Sequence, residues 1–232
     1  NLLLRLQGET LNADVATGKT GVPLEQEAGS TFTATVYAAD QFYNPYETAQ
    51  FEQPSVWLEA NTAFAQTGTT VTLIQGSTTY PLWLPVASTT TFITAKAMAA
   101  PFVQASTRVA VSPAWTNSGP WRLQLLVPPM AQDPGSPTGV KNAAAALTAG
   151  STVTVRVNLV DTFFNTVYGT TTKIPVVNFP VATLLFSDAN MTARGLLPPG
   201  LSLIDGTRLF SFFPATRSDP LQSISVDDAG TL

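Results

Sequence analysis

The sequence predicts an all-β protein built as two tandem antiparallel sandwiches. Three observations carry this. The stretch Ala28 to Asn44 returns 121 positions later, at Ala149 to Asn165, without a gap, and Ala, Gly, Ser, Thr, Thr, Val, Asp, Phe and Asn recur in the same places. Within both copies apolar residues alternate with polar ones at a period of two. Turn residues recur at short spacing along the whole 232-residue chain. A shared period of this length means two copies of one domain. Each copy, of ~110 residues, has an ordinary domain size and can bury a core without staples.

Taken in order, Leu2 to Gln7 reads as a strand with Leu2, Leu4 and Leu6 on one face. Gly8 to Gly21 follows as a polar loop containing Thr17-Gly18, matched by Thr138-Gly139 in the second copy. The repeated stretch is the next strand. Phe32, Ala34, Val36 and Ala38 alternate with Thr33, Thr35 and Tyr37, and Val153, Val155, Val157 and Leu159 with Thr154, Arg156 and Asn158. Alternation rich in β-branched residues marks a strand with one buried face. The apolar set is therefore predicted inside in both copies, and a slip of one residue would reverse every side chain. Asp40 and Asp161 close these strands, with Asn44 and Asn165 four residues on. Both residue types suit a tight corner, because their side chains bond nearby backbone.

Ala143 to Leu147 is made of good helix formers. Its counterpart, Val22 to Gln26, carries Pro23, so both are expected to be extended. Further strands are expected around Trp57 to Asn61, Tyr80 to Leu84, Phe92 to Ala97 and Ser106 to Val111. In the second copy they fall around Phe186 to Asn190, Phe210 to Phe212 and Leu221 to Val226. About eight extra residues around Thr170 to Pro180 are expected in a surface loop. Some seven short strands per copy with regular turns is the pattern of an immunoglobulin-like sandwich. The expected domains are 1–114 and 121–232, joined by a short semi-rigid linker, 115–120, with Trp115 or Trp121 packed between them. The strand at Ser106 to Val111 has no counterpart in the second copy. The second repeat is thus expected to lack its last strand, to be supplied by a longer parent chain or donated by a neighbouring subunit.

Composition narrows the function. Charged residues make up 11%, against roughly 25% in an average soluble domain. A net charge of −4 argues against nucleic acid as a partner, since that would need a basic patch. Histidine and cysteine are both absent, which removes disulfides, thiolate zinc sites and a Ser–His–Asp triad. No apolar run approaches the ~20 residues of a membrane span, and none is expected. NLLLRLQGET at the start lacks the basic and apolar regions of a signal peptide, so the chain reads as a mature protein or a piece of a longer one.

Across LLLRLQGETLNADVATGKTG, AGSTFTATVYAADQFYN and their second-copy partners, the sequence resembles the bacterial immunoglobulin-like repeats of large surface proteins. The corner Asp40-Gln41-Phe42-Tyr43-Asn44-Pro45 is similar to the DxxGNP corner of invasin- and intimin-type domains, with Tyr43 in place of Gly and, in the second copy, Thr166 in place of Pro. The resemblance implies spacers, stalks and adhesive arms outside the cell, with neighbouring repeats or copies of the chain as partners. It implies no shared catalytic residues.

Other constellations have both a functional and a purely structural reading. Asp40, Asn44, Asp161 and Asn165 offer oxygen ligands of the kind calcium takes, but two per corner are too few, and turn stabilisation is the expectation. Asp227-Asp228 reads as solvated surface. Phe42-Tyr43 and Phe163-Phe164 could stack on a sugar, although capping a sandwich core is the plainer reading. Asn190-Met191-Thr192 is the one glycosylation sequon, expected to be unmodified. No catalytic, cofactor or metal site is expected. The chain is expected to be a structural extracellular repeat protein, with an accessory carbohydrate-binding module of a secreted enzyme as the alternative.

Overall fold

The computed structural model describes residues 1–46, 53–66, 69–99, 101–115, 121–148, 150–168, 179–181, 183–187, 201–212 and 223–227. All regular elements among them are β-strands, and the fold is an all-β antiparallel sandwich architecture. The chain divides into two units, Asn1–Ser112 and Pro113–Leu232. Pro113 and Ala114, expected with the first domain, group with the second unit.

The first unit holds β1 (Leu2–Leu6), β2 (Glu9–Leu11), β3 (Lys19–Gly21), β4 (Gln26–Glu27), β5 (Thr31–Ala38), β6 (Ser55–Ala60), β7 (Thr69–Thr72), β8 (Ser77–Trp83), β9 (Ser88–Ala97) and β10 (Ala105–Ser112). One sheet runs β1-β5-β8 and the other β4-β10-β9-β6-β7. All pairings are antiparallel except β4 with β10, where Val111 faces Gln26. The alternation in β5 holds: Phe32, Ala34, Val36 and Ala38 are buried while Thr31 and Thr33 are exposed. The second sheet contributes Val56, Leu58, Ile93, Ala95, Val109 and Val111 to the buried set.

The second unit holds β11 (Arg122–Leu126), β12 (Ala131–Gln132), β13 (Val140–Lys141), β14 (Val153–Val160), β15 (Phe179–Val181), β16 (Thr183–Ser187), β17 (Leu201–Leu203), β18 (Thr207–Phe212) and β19 (Ser223–Asp227). Its sheet β11-β14-β18 repeats β1-β5-β8. The register repeats too: Leu4 faces Val36 and Leu125 faces Val157. Val153, Val155, Val157, Leu159, Val167, Leu203 and Phe210 form a core, flanked by Trp115, Trp121, Leu123, Leu125, Val127 and Val226. Both tryptophans therefore pack within the second unit. Residues 143–148 are extended or irregular, as Pro23 in the counterpart implied.

In the first unit β9 is flanked by both β6 and β10. Among the described residues β19 pairs with β16 alone. Asp228, the sequon at Asn190 and most of the expected insertion at 170–180 lie outside the described residues.

Two further sequence expectations change. Gly8 to Gly21 is not an open polar loop. It contains the β2–β3 ribbon, which folds back over β1: Lys19 Nζ donates to Leu4 O at 2.7 Å and Leu6 N to Glu9 Oε2 at 2.8 Å. Glu9 is nearly buried, pairs with Lys19 at 2.7 Å and accepts the Thr107 hydroxyl at 3.0 Å. As a result Leu3, on the supposed outer face, is only 2% exposed.

Asn158, expected to face solvent, is likewise buried. It accepts Thr207 Oγ1 at 2.7 Å and donates to Gln124 Oε1 at 3.3 Å, while Gln124 Nε2 reaches Gly139 O at 2.8 Å. A buried amide needs such partners, and the alternation rule cannot see the segment that covers it.

Candidate functional site: the aspartate–asparagine corners

The feature built most completely in duplicate is the corner after β5 and after β14. Asp40 Oδ1 accepts the amides of Phe42 at 2.8 Å and Asn44 at 2.9 Å, and Oδ2 accepts Asn44 Nδ2 at 3.0 Å. The backbone closes the loop, with Asp40 N on Asn44 O at 3.1 Å and Tyr43 N on Asp40 O at 3.2 Å. In the second unit Asp161 Oδ1 accepts Phe163 N at 2.8 Å and Asn165 N at 2.9 Å, and Oδ2 accepts Asn165 Nδ2 at 2.9 Å. The backbone pair recurs at 3.0 and 3.1 Å. A short acceptor that bonds the amide two residues on is the mechanical use of Asp in turns.

These bonds turn the chain so sharply that one residue adopts left-handed geometry. Tyr43 has φ 64° and Phe164 φ 63°. For a side chain with a Cβ this costs about 1 kcal/mol. It is also the position at which the DxxGNP pattern carries Gly. The aromatic rings are used instead: each lies on the glycine of the preceding ribbon. A Cβ on Gly18 would sit 2.7 Å from Tyr43 Cγ, and one on Gly139 would sit 2.1 Å from Phe164 Cγ. Thr17-Gly18 and Thr138-Gly139 thus recur because the corner ring needs the bare backbone beneath it. In the second unit Arg122 stacks 4.0 Å above the Phe164 ring and donates to Thr162 O at 2.9 Å.

The two carboxylates differ in one bond and in their surroundings. Asp161 Oδ2 also accepts the amide of Ala114 at 2.7 Å, and Trp121 Nε1 holds the Ala114 carbonyl at 3.2 Å. Asp161 is 0% exposed and Asn165 2%, whereas Asn44 is exposed and Asp40 half-exposed. The carboxyl groups respond in opposite directions. The Asn44 side chain, then its amide, hold Asp40 below the ordinary carboxylate range. Burial pushes Asp161 up, against the pull of the Ala114, Asn165 and Phe163 donors.

The chemistry of these corners is that of a turn. Their carboxylate oxygens point at N–H hydrogens, whereas a cation needs oxygens turned toward it. Among the described residues no group of three or more His, Cys, Asp or Glu side chains could hold a metal ion. The sugar-stacking candidates separate: Tyr43 and Phe164 are committed to the ribbon glycines, Phe163 is half-buried, and Phe42 is 64% exposed. Asp227 lies in β19 opposite Thr183. The role of Ala114 was not visible in sequence, because a backbone amide leaves no residue signature.

No protein-family model and no curated protein matches the chain. It is similar to the solved structure of domains 5-6 of the S-layer protein SbsC, at 19% identity and a TM-score of 0.28, over 93% of this chain and 100% of that one.

Proposed function

We propose that the protein is a structural, non-catalytic component of an extracellular assembly: a surface filament, sheath, stalk or adhesin whose units bear load and set spacing. The observation that carries this reading is what the duplication preserves. Strand register, the corner hydrogen bonds and the ring-on-glycine contact recur in both units. These are parts that hold a sandwich together, and they are the parts a repeat array needs, because stability there is a sum over units and their neighbours. The lack of His and Cys and the sparse charge point the same way. Neighbouring repeats or copies of the chain are the partners this reading implies, and a strand from such a neighbour alongside β19 is one way they would join.

The test is the native protein. Its intact mass should lie far above 24.5 kDa, and surface protease should release it from whole cells. Recovery as a free 24.5 kDa species from the cell interior would overturn the proposal. Glycan binding abolished by Phe42→Ala would replace it with the carbohydrate-module reading.

A further inference from the structure

We propose that the Asp40 corner is a docking site for an extended segment joining it to a like repeat, of the Ser-Pro-Ala kind that in this chain runs from Ser112 to Ala114. The inference deepens the repeat-array reading and rests on it for the identity of the partner. Its geometry comes from the second unit. There the segment is seated: the Ala114 amide lies on Asp161 Oδ2 at 2.7 Å, its carbonyl on Trp121 Nε1 at 3.2 Å, and Ala114 is 1% exposed.

The receiving group in the first unit is prepared in the same way. Asp40 makes the same bonds to the two amides and the asparagine side chain, within 0.1 Å of those of Asp161. Its Oδ2 is therefore aimed as Asp161 Oδ2 is. A carboxylate fixed by three donors before a fourth arrives is pre-organised, so little ordering cost is left for docking. What changes between the corners is cover. The asparagine goes from exposed Asn44 to buried Asn165, and the flanking phenylalanine from 64% exposed Phe42 to half-buried Phe163.

The segment is suited to the task. Proline holds its own φ and keeps the residue before it extended. It has no N–H, so the first amide it presents to the carboxylate is that of the following alanine. An N–H donated to a carboxylate is among the stronger hydrogen bonds, and a small side chain allows close approach.

The test uses the full chain with a second copy of residues 112–121 placed directly before Asn1. This sets the added tryptophan ahead of Asn1 as Trp121 stands ahead of Arg122. Amide exchange of the added alanine is measured beside that of Ala114. Docking should slow it by about tenfold or more relative to a free peptide, as expected for a charge-assisted bond shielded from water. The Asp40 carboxyl carbon resonance is recorded at the same time. A second version carries proline instead of the added alanine, which removes the donor and leaves the corner untouched. Both extensions remove the Asn1 ammonium that acts on Asp40, so the two extended chains are compared with each other, and their Asp40 resonances should differ. Free-peptide exchange of the added alanine, or the same Asp40 shift with alanine and with proline, would overturn the proposal. Neither readout depends on cell location or native mass, so this inference and the function proposed above fail separately.

Discussion

The corners at Asp40 and Asp161 share their hydrogen bonds to within 0.1 Å, yet one carboxyl group is held low and the other is pushed up. The difference is solvent. At the first corner the N–H donors act on a carboxylate that water still reaches, so hydrogen bonding favours the charged form. At the second the carboxyl group is buried, and desolvation outweighs even the additional donor from Ala114. In this chain the same local motif is open to water at Asp40 and buried at Asp161.

Removing the acceptor should expose this contrast most strongly. Asp161→Ala strands the amides of Ala114, Phe163 and Asn165 inside the fold. Each unsatisfied buried donor costs 1–3 kcal/mol, so a loss of roughly 3 kcal/mol or more is expected for the second unit. Asp40→Ala leaves its donors in reach of water and should have a much smaller effect. Denaturant unfolding of the full chain followed by site-resolved hydrogen exchange separates the two units, and equal losses would break the comparison.

Glycine substitutions should show that the two corners are alike where solvent is not involved. Gly139→Ala drives a methyl into the Phe164 ring and Gly18→Ala into Tyr43, both at positive φ. Each should destabilise its unit by about 2 kcal/mol, the scale of overpacking with backbone strain. Thermal melts in which either variant matches the parent would remove the ring-on-glycine contact from the account.

Acid should act on the corners with opposite signs. The Asp40 contribution is complete above the unfolded carboxyl pKa and is lost as pH falls through its depressed folded value. The Asp161 contribution is present below the unfolded pKa and is lost as pH rises through its raised folded value. Carboxyl carbon titrations assigned with Asp40→Asn and Asp161→Asn should show the two midpoints on either side of a free aspartate. Displacement in the same direction would mean that burial does not distinguish them.

The smallest effect is expected at Arg122, whose stack on Phe164 is exposed. Arg122→Ala should cost about 0.5–1 kcal/mol, read as a small shift in the second unit's denaturant midpoint.

How much of this was legible follows from where the information sits. The duplicated strands, the buried parity of Val36 and Val157 and the pairing of Asp with Asn four residues on were all readable in sequence. Each depends on side-chain spacing along one segment, and a strand's two faces follow from its backbone. The outer cover of Leu3 and Asn158, the near-burial of Glu9 beside Lys19, and the difference between Asp40 and Asp161 were not readable. They depend on a second segment arriving from elsewhere: the β2–β3 ribbon, the Gln124–Gly139 contact, the Ala114 amide. Periodicity records which face of a strand is apolar, but it carries no term for what lies on the other face. Alternation and corner chemistry were therefore determined locally, while solvent access, and with it the charge behaviour of each corner, was decided only when the distant segments packed.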